Sequence, residues 1–195
     1  MIGTHVHITA DKIVVNGEEV AQGEDIIRQG YDLLEMAYPK FFKMDRLCKL
    51  GVLGTEFIVK AHPRIQELKD DDIALLFNNS DSSLESDVKH QKSFREGAAS
   101  PAIFVYTLPN IVLGELGIRH KWHGEQLFTV TEEPDINFLY EVMSNNFAFR
   151  KAKACVLGIV NSLSDNFEAH LIWIENKEID GGIPFTALNL KQIIK

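Results

Sequence analysis

The side chains able to do chemistry in this sequence are few and scattered. Two cysteines, Cys48 and Cys155, stand far apart without CxxC spacing, so neither a disulfide nor a thiolate metal site is expected. Cys155 lies inside the apolar run Ala154–Val160, where a thiol is inert and its pKa is raised, so it reads as core filler. His5 and His7 fall on one face of an alternating stretch, a spacing that could hold a metal. No third ligand is evident near them in sequence, so they read as two polar strand positions and no metal is expected. His120 and His123 could face one way on a helix, as weak acid–base candidates, although a helix C-terminus welcomes partial positive charge for electrostatic reasons alone. Glu132, Glu133 and Asp135 crowd a predicted helix start, where free N–H groups and the helix dipole favour carboxylates, so capping is their plain reading. The polar run Asn78–Ser83 (NNSDSS) has no glycine to bring backbone N–H groups onto a phosphate, so it reads as a loop and no nucleotide cofactor is expected.

The elements that must position these groups alternate between strand and helix. Strands are expected at His5–Thr9, Lys12–Val15, Ile73–Phe77, Leu127–Thr131, Ala154–Val160 and Ala169–Ile174, with Asn16-Gly17 as a turn, while Ile103–Leu108 suits a buried strand or a tight approach segment. Helices are expected at Asp25–Tyr38, Met44–Ala61, Ile111–Lys121, Asp135–Phe149 and Thr186–Ile194, the first stopped by Pro39 and the second closed by His62-Pro63. Ser83 or Ser86 and Asn110 read as helix caps, Gly124 as a helix stop, and Arg150-Lys151-Ala152-Lys153 as a basic helix end. Gly51 with Gly54, and Gly114 with Gly117, stand three apart within predicted helices. They cost helix stability, so close packing of another backbone is the expected reason for them. The pattern predicts an α/β fold with a mixed to mostly parallel sheet and helices on its faces, residues 1–195 forming one domain.

Composition narrows the partners. The 195 residues are 45% hydrophobic and 25% charged, ordinary globular values, with a net charge of -8. That acidity speaks against nucleic acid, whose phosphates demand clustered Lys and Arg. No run approaches the about 18 apolar residues of a membrane span, and the start lacks signal-peptide character. With two unpaired cysteines, a cytoplasmic location is expected.

The stretch Ala99–Asp135 carries more specific information. Ser100-Pro101, Tyr106-Thr107-Leu108-Pro109-Asn110, Gly114-Glu115, Ile118-Arg119-His120 and Gly124 together resemble the segment of β-ketoacyl synthases that leads into their nucleophilic cysteine. Ser82-Ser83-Leu84-Glu85-Ser86-Asp87 is similar to a run in a short, divergent branch of ketosynthase-like proteins, and the resemblance extends over Met44–Glu175. It implies the N-terminal half of a thiolase-like fold. In the family the strand after the glycine ends in a Thr-Ala-Cys-type turn, which falls here on Thr131-Glu132-Glu133, so the nucleophile position lies on or beside Glu133. The cysteine is missing, and so is the second half that supplies the family's basic pair.

The resemblance thus implies a non-catalytic or chain-length-factor-like subunit of fatty-acid or polyketide-type synthesis. It would form a homodimer or a heterodimer with a full-length ketosynthase, with acyl carrier protein as a further partner that this acidic surface would on average repel. The expected interface is the strand Leu127–Thr131, with Leu127, Thr129 and Thr131, and the helix face of Gly114 and Gly117; an apolar face should stay exposed where a second half would pack. Two alternatives remain: a residual thioester-acting enzyme (acyl transfer or malonyl decarboxylation) using Glu133 or His123, and a scaffold or small-molecule binding protein. The decarboxylase reading requires burial to protonate Glu133, because a carboxylate would repel a malonyl carboxylate.

Overall fold

The computed structural model describes residues 1–97, 100–150, 152–163 and 165–194; Ala99 and Lys151, each part of a stretch read above, lie outside the described residues. The chain starts with β1 (Ile2–Thr9), β2 (Lys12–Val15) and β3 (Glu18–Gln22), followed by α1 (Ile26–Leu33) and α2 (Arg46–Ala61). Asn16 and Gly17, with φ of 52° and 85°, make the two-residue hairpin between β2 and β3 that their residue types predict. Next come β4 (Ile73–Asn79), α3 (Leu84–Arg95), α4 (Pro101–Phe104), α5 (Ile111–His120), β5 (Gln126–Val130) and α6 (Ile136–Asn145). The chain closes with β6 (Ala154–Asn161), β7 (Glu168–Glu175) and α7 (Ala187–Ile193).

The strands form one mixed sheet in the order β3-β2-β1-β7-β6-β4-β5. Only β4–β5 and β4–β6 pair in parallel; the other four pairings are antiparallel, so the sheet is mixed and not mostly parallel. Connection length explains this. The loop 162–167 between β6 and β7 is too short for a crossover, and the first three strands follow one another directly, whereas helices separate β4 from β5 and β5 from β6.

Helix α2 lies on one face of the sheet, its start capped by Asp45, whose carboxylate accepts from the Cys48 N–H at 2.9 Å. Leu50, Leu53 and Ile58 of α2 join Phe77, Val156 and Trp173 of the sheet in the larger core. Gly51 and Gly54 are where the packing is tightest: a Cβ on either would run into Val112 of α5 or Leu171 of β7. On the opposite face, Leu139 and Met143 of α6 and Leu190 of α7 cover Leu76, Leu157 and Ile172. β4 and β6 are therefore buried on both sides, which is why they read as unbroken apolar runs.

Some expectations change. Ile103–Leu108 is not a strand: Ser100 accepts from the Ile103 N–H through its side chain, Pro101 takes the first helical position, and α4 with a 3₁₀ turn at Val105–Thr107 follows. A proline behind a serine cap outweighs the β-propensity of the residues after it. Asn110 precedes α5 without a side-chain capping bond, as does Ser83 before α3, whereas Asp135 caps α6 through the Phe138 N–H. α1 stops at Leu33, well before Pro39, which opens a 3₁₀ turn instead. α5 ends at His120 with Lys121 in the left-handed region (φ 60°), four residues before Gly124. Among the described residues no single helix is long and apolar enough to cross a membrane; Pro101–Thr107 and Ile111–His120, apolar enough together, are bent by 102° at their break.

Candidate functional site

In an open α/β sheet the ligand crevice forms at the carboxyl ends of parallel strands, where the chain switches from one side of a strand to the other. Here that strand is β4, flanked by β5 and β6. The chain between β4 and β5 packs Val112 and Leu116 of α5 into the core on the α2 side, and the chain between β5 and β6 packs α6 on the opposite face. The switch point is thus the carboxyl end of β4, beside the turn Thr131-Glu132-Glu133 that follows β5.

Short polar side chains build this end of the sheet. Asn78, 2% exposed, donates its amide to Thr129 Oγ1 at 2.9 Å and to Thr131 Oγ1 at 2.8 Å. Asn79 closes the next turn: its Oδ1 accepts from the Ser82 N–H at 3.0 Å and its amide donates to the Ser82 carbonyl at 2.8 Å, with Ser82 at φ 51°. Asn161 at the end of β6 accepts from the Ser80 N–H at 2.9 Å. The Thr131 N–H extends the ladder to the Asn79 carbonyl at 3.0 Å. Amides and hydroxyls in this arrangement can orient a polar ligand but cannot form an acyl-enzyme, which needs an activated nucleophile. Glu132 and Glu133 are both exposed, so no burial is available to protonate Glu133 for a decarboxylase role.

The other sequence candidates do not converge there. His120 pairs with Glu56 of α2 at 2.9 Å, and Arg119 holds the same carboxylate at 2.5 Å. Burial raises the Glu56 pKa, but the hydrogen bonds from His120 and Arg119 and their charges prevail and bring it to about 2. His120 is thus a structural partner that ties α5 to α2. His123 lies beyond the helix end, exposed, its N–H bonded to the Asp70 carbonyl at 2.9 Å. It stands before β5 and Glu133 after it, so the five residues of that strand, about 17 Å long, separate them. Cys155 is fully buried and burial pushes its thiol far up; burial, then Asp45, raises that of Cys48 as well, so both are inert. Glu115, in sequence only part of the Gly-Glu motif, is buried and bound to Lys40 at 2.7 Å, a second anchor for α5.

The expected interface residues divide. β5 is the outer strand of the sheet, with Leu127 and Val130 exposed. Beside it Pro109, Leu113, Leu127, Phe128 and Val130 line an open groove. Gly114 is exposed with open space around it, so no neighbour among the described residues explains it. Gly117, in contrast, is buried, and a Cβ there would stand 3.1 Å from the Trp122 carbonyl of its own chain. The Thr129 and Thr131 hydroxyls face Asn78, not outward.

The mixed seven-stranded sheet with helices on both faces is the fold that the chain shares with solved ketosynthase structures of the thiolase-like α/β class. The chain is similar to a structure of a ketosynthase in complex with its chain length factor from Xenorhabdus doucetiae, with 12% identity, 91% of this chain and 79% of that one covered, and a TM-score of 0.61. It is also similar to the ishigamide ketosynthase/chain length factor, with 13% identity, 92% and 63% covered, and a TM-score of 0.67. A third similar structure is a type II PKS acyl-carrier protein in complex with its ketosynthase bound to the hexaketide, with 14% identity, 90% and 64% covered, and a TM-score of 0.58. The chain spans less than two thirds of the latter two chains. No family model and no curated protein matches the sequence.

Proposed function

We propose that residues 1–195 act as one ketosynthase-like domain that does not condense acyl chains itself and pairs with a second chain of the same fold, a full ketosynthase or its own copy. The observation that carries this reading is the unpaired edge of β5, apolar at Leu127 and Val130 and bordered by the open face of Gly114. Proteins cover an apolar strand edge of this kind, because its free N–H and C=O groups otherwise recruit strands indiscriminately. The ketosynthase and chain length factor of a similar structure form a complex, which supports a partner of that class. The turn beside Glu133 lacks a thiol, and neither cysteine stands in a place to receive an acyl chain. A net charge of -8 leaves docking of an acidic acyl carrier protein to the partner. The biosynthetic setting that fits is fatty-acid or polyketide-type synthesis, in the cytoplasm.

Two measurements test this. Light scattering at micromolar concentration should find a dimer, or a complex once a full ketosynthase is added; a chain monomeric under both conditions removes the pairing. Incubation with malonyl and acyl thioesters should leave Cys48 and Cys155 unmodified by mass spectrometry. Acylation of either, followed by condensation, overturns the non-catalytic reading.

A further inference from the structure

In the middle of the sheet, β1 and β7 bring together three histidines and a glutamate that lie far apart in sequence. The period of two along β1 puts His5 and His7 on one face. Antiparallel register sets His7 opposite His170 and Thr9 opposite Glu168, so His170 and Glu168, two apart on β7, share that face. The three imidazoles stack nearly parallel, their centroids 4.2 Å apart for His7 and His170 and 5.2 Å for His5 and His170. Glu168 Oε1 lies 2.7 Å from His7 Nε2 and 3.4 Å from His170 Nε2. His5 Nε2 meets His170 Nδ1 at 2.9 Å.

We propose that His7, Glu168 and His170 bind a zinc-class divalent cation, with His5 as the outer partner that orients His170. One ligand atom from each of the three lies within 4.8 Å of the others. Four ligand atoms placed tetrahedrally around zinc stand about 3.3 Å apart, given metal–ligand distances near 2.0–2.1 Å. The His170–Glu168 distance already matches this, and His7 Nε2, 2.7 Å from Glu168, has to move about 0.6 Å away from it. Two imidazoles and a carboxylate are the donor set of borderline ions such as zinc, whereas calcium and magnesium call for oxygen. A ligating imidazole keeps its tautomer by donating its other N–H, and His5 Nε2 is the acceptor in place for His170 Nδ1. With side-chain exposures of 25% for His7 and 52% for Glu168, the fourth position opens to solvent, where water or an anionic group completes the shell. This reading is independent of pairing at β5, which lies three strands from β7 and four from β1.

Metal-free protein titrated with zinc chloride against a chromogenic chelator should bind one ion per chain, and cobalt should give the intense visible bands of a four-coordinate site. His7→Gln and Glu168→Gln alter half-exposed side chains and should leave the fold intact by circular dichroism. Each should weaken zinc binding at least about tenfold and abolish the cobalt bands, and His5→Gln should weaken it about 10–100-fold as an outer-shell loss. His123→Gln, an exposed histidine elsewhere, should bind as the parent does. Absence of saturable binding, binding unchanged by His7→Gln and Glu168→Gln, or the faint six-coordinate cobalt spectrum overturns the assignment.

Discussion

Gly51 and Gly114 occupy comparable places in two helices and meet opposite surroundings. A Cβ at Gly51 collides with the stiff, β-branched Val112 and would lie 3.2 Å from Phe77 Cε1. Gly51→Ala should therefore destabilise the fold by about 1–3 kcal/mol, the usual cost of overpacking a core. A Cβ at Gly114 meets nothing. Gly114→Ala should stabilise the isolated chain by about 0.5–1 kcal/mol in urea unfolding, since alanine is the better helix former, yet weaken association if a partner backbone approaches there. Glu56 gives a pH-dependent test. Its carboxyl titrates at about 2 in the folded chain against an ordinary value of 4.5, so it contributes stability above 4.5 that is lost as the pH falls from there towards 2. Glu56→Gln should lower stability at neutral pH by about 2 kcal/mol and flatten the stability curve between those two values. An unchanged slope in acid unfolding would show that the Arg119 and His120 contacts carry no such coupling.

At the scale of elements, the α5–β5 connection decides where the sheet ends. Gly124 follows the left-handed Lys121, and a Cβ on it would collide with the Ile73 carbonyl oxygen and stand 3.1 Å from that of Asp71. Backbone cannot yield as a side chain can, so Gly124→Ala should push the start of β5 away from β4. We expect this in hydrogen exchange as faster opening of the amides of Leu127 and Thr129, with β1 and β7 unaffected. This element was legible in part. The residues of β5 read as a strand and Gly124 as punctuation, but its contact with β4 depends on a partner some fifty residues away. The same limit hid the histidine cluster: His5 and His7 share a face by local alternation, while Glu168 and His170 join them only through the β1–β7 register. Apolar runs located β4, β6 and β7, yet burial on both faces looks alike in parallel and antiparallel strands, so direction had to come from loop lengths. At Ile103–Leu108 the β-branched residues point to a strand, but the serine cap and proline that precede them prevail and start a helix.

For the whole molecule, the decisive question is what lies against β5. Its ladder to β4 is parallel, with the Leu75 N–H bonded to the Glu125 carbonyl and the Thr131 N–H to the Asn79 carbonyl. Odd-numbered residues from 125 to 131 therefore point their peptide groups at β4, and the N–H groups of Gln126, Phe128 and Val130 point outward, since parallel pairing uses alternate residues. Thr129 is a poor probe of this edge, because a charge there would also break its bond with buried Asn78. Val130 is better placed: the residue is 48% exposed and its N–H faces away from β4. Proline is tolerated on such an edge, where it removes a donor that only a neighbouring strand would use. Val130→Pro should leave the unfolding midpoint of the isolated chain within a few degrees of the parent. Under light scattering it should behave as a monomer at concentrations where the parent is paired, and the same should hold in mixtures with a full ketosynthase. A variant that is folded and still assembles as the parent does would mean that the pairing surface is not this strand, and the apolar side chains around Phe94 and Phe104 would then be the next surface to probe.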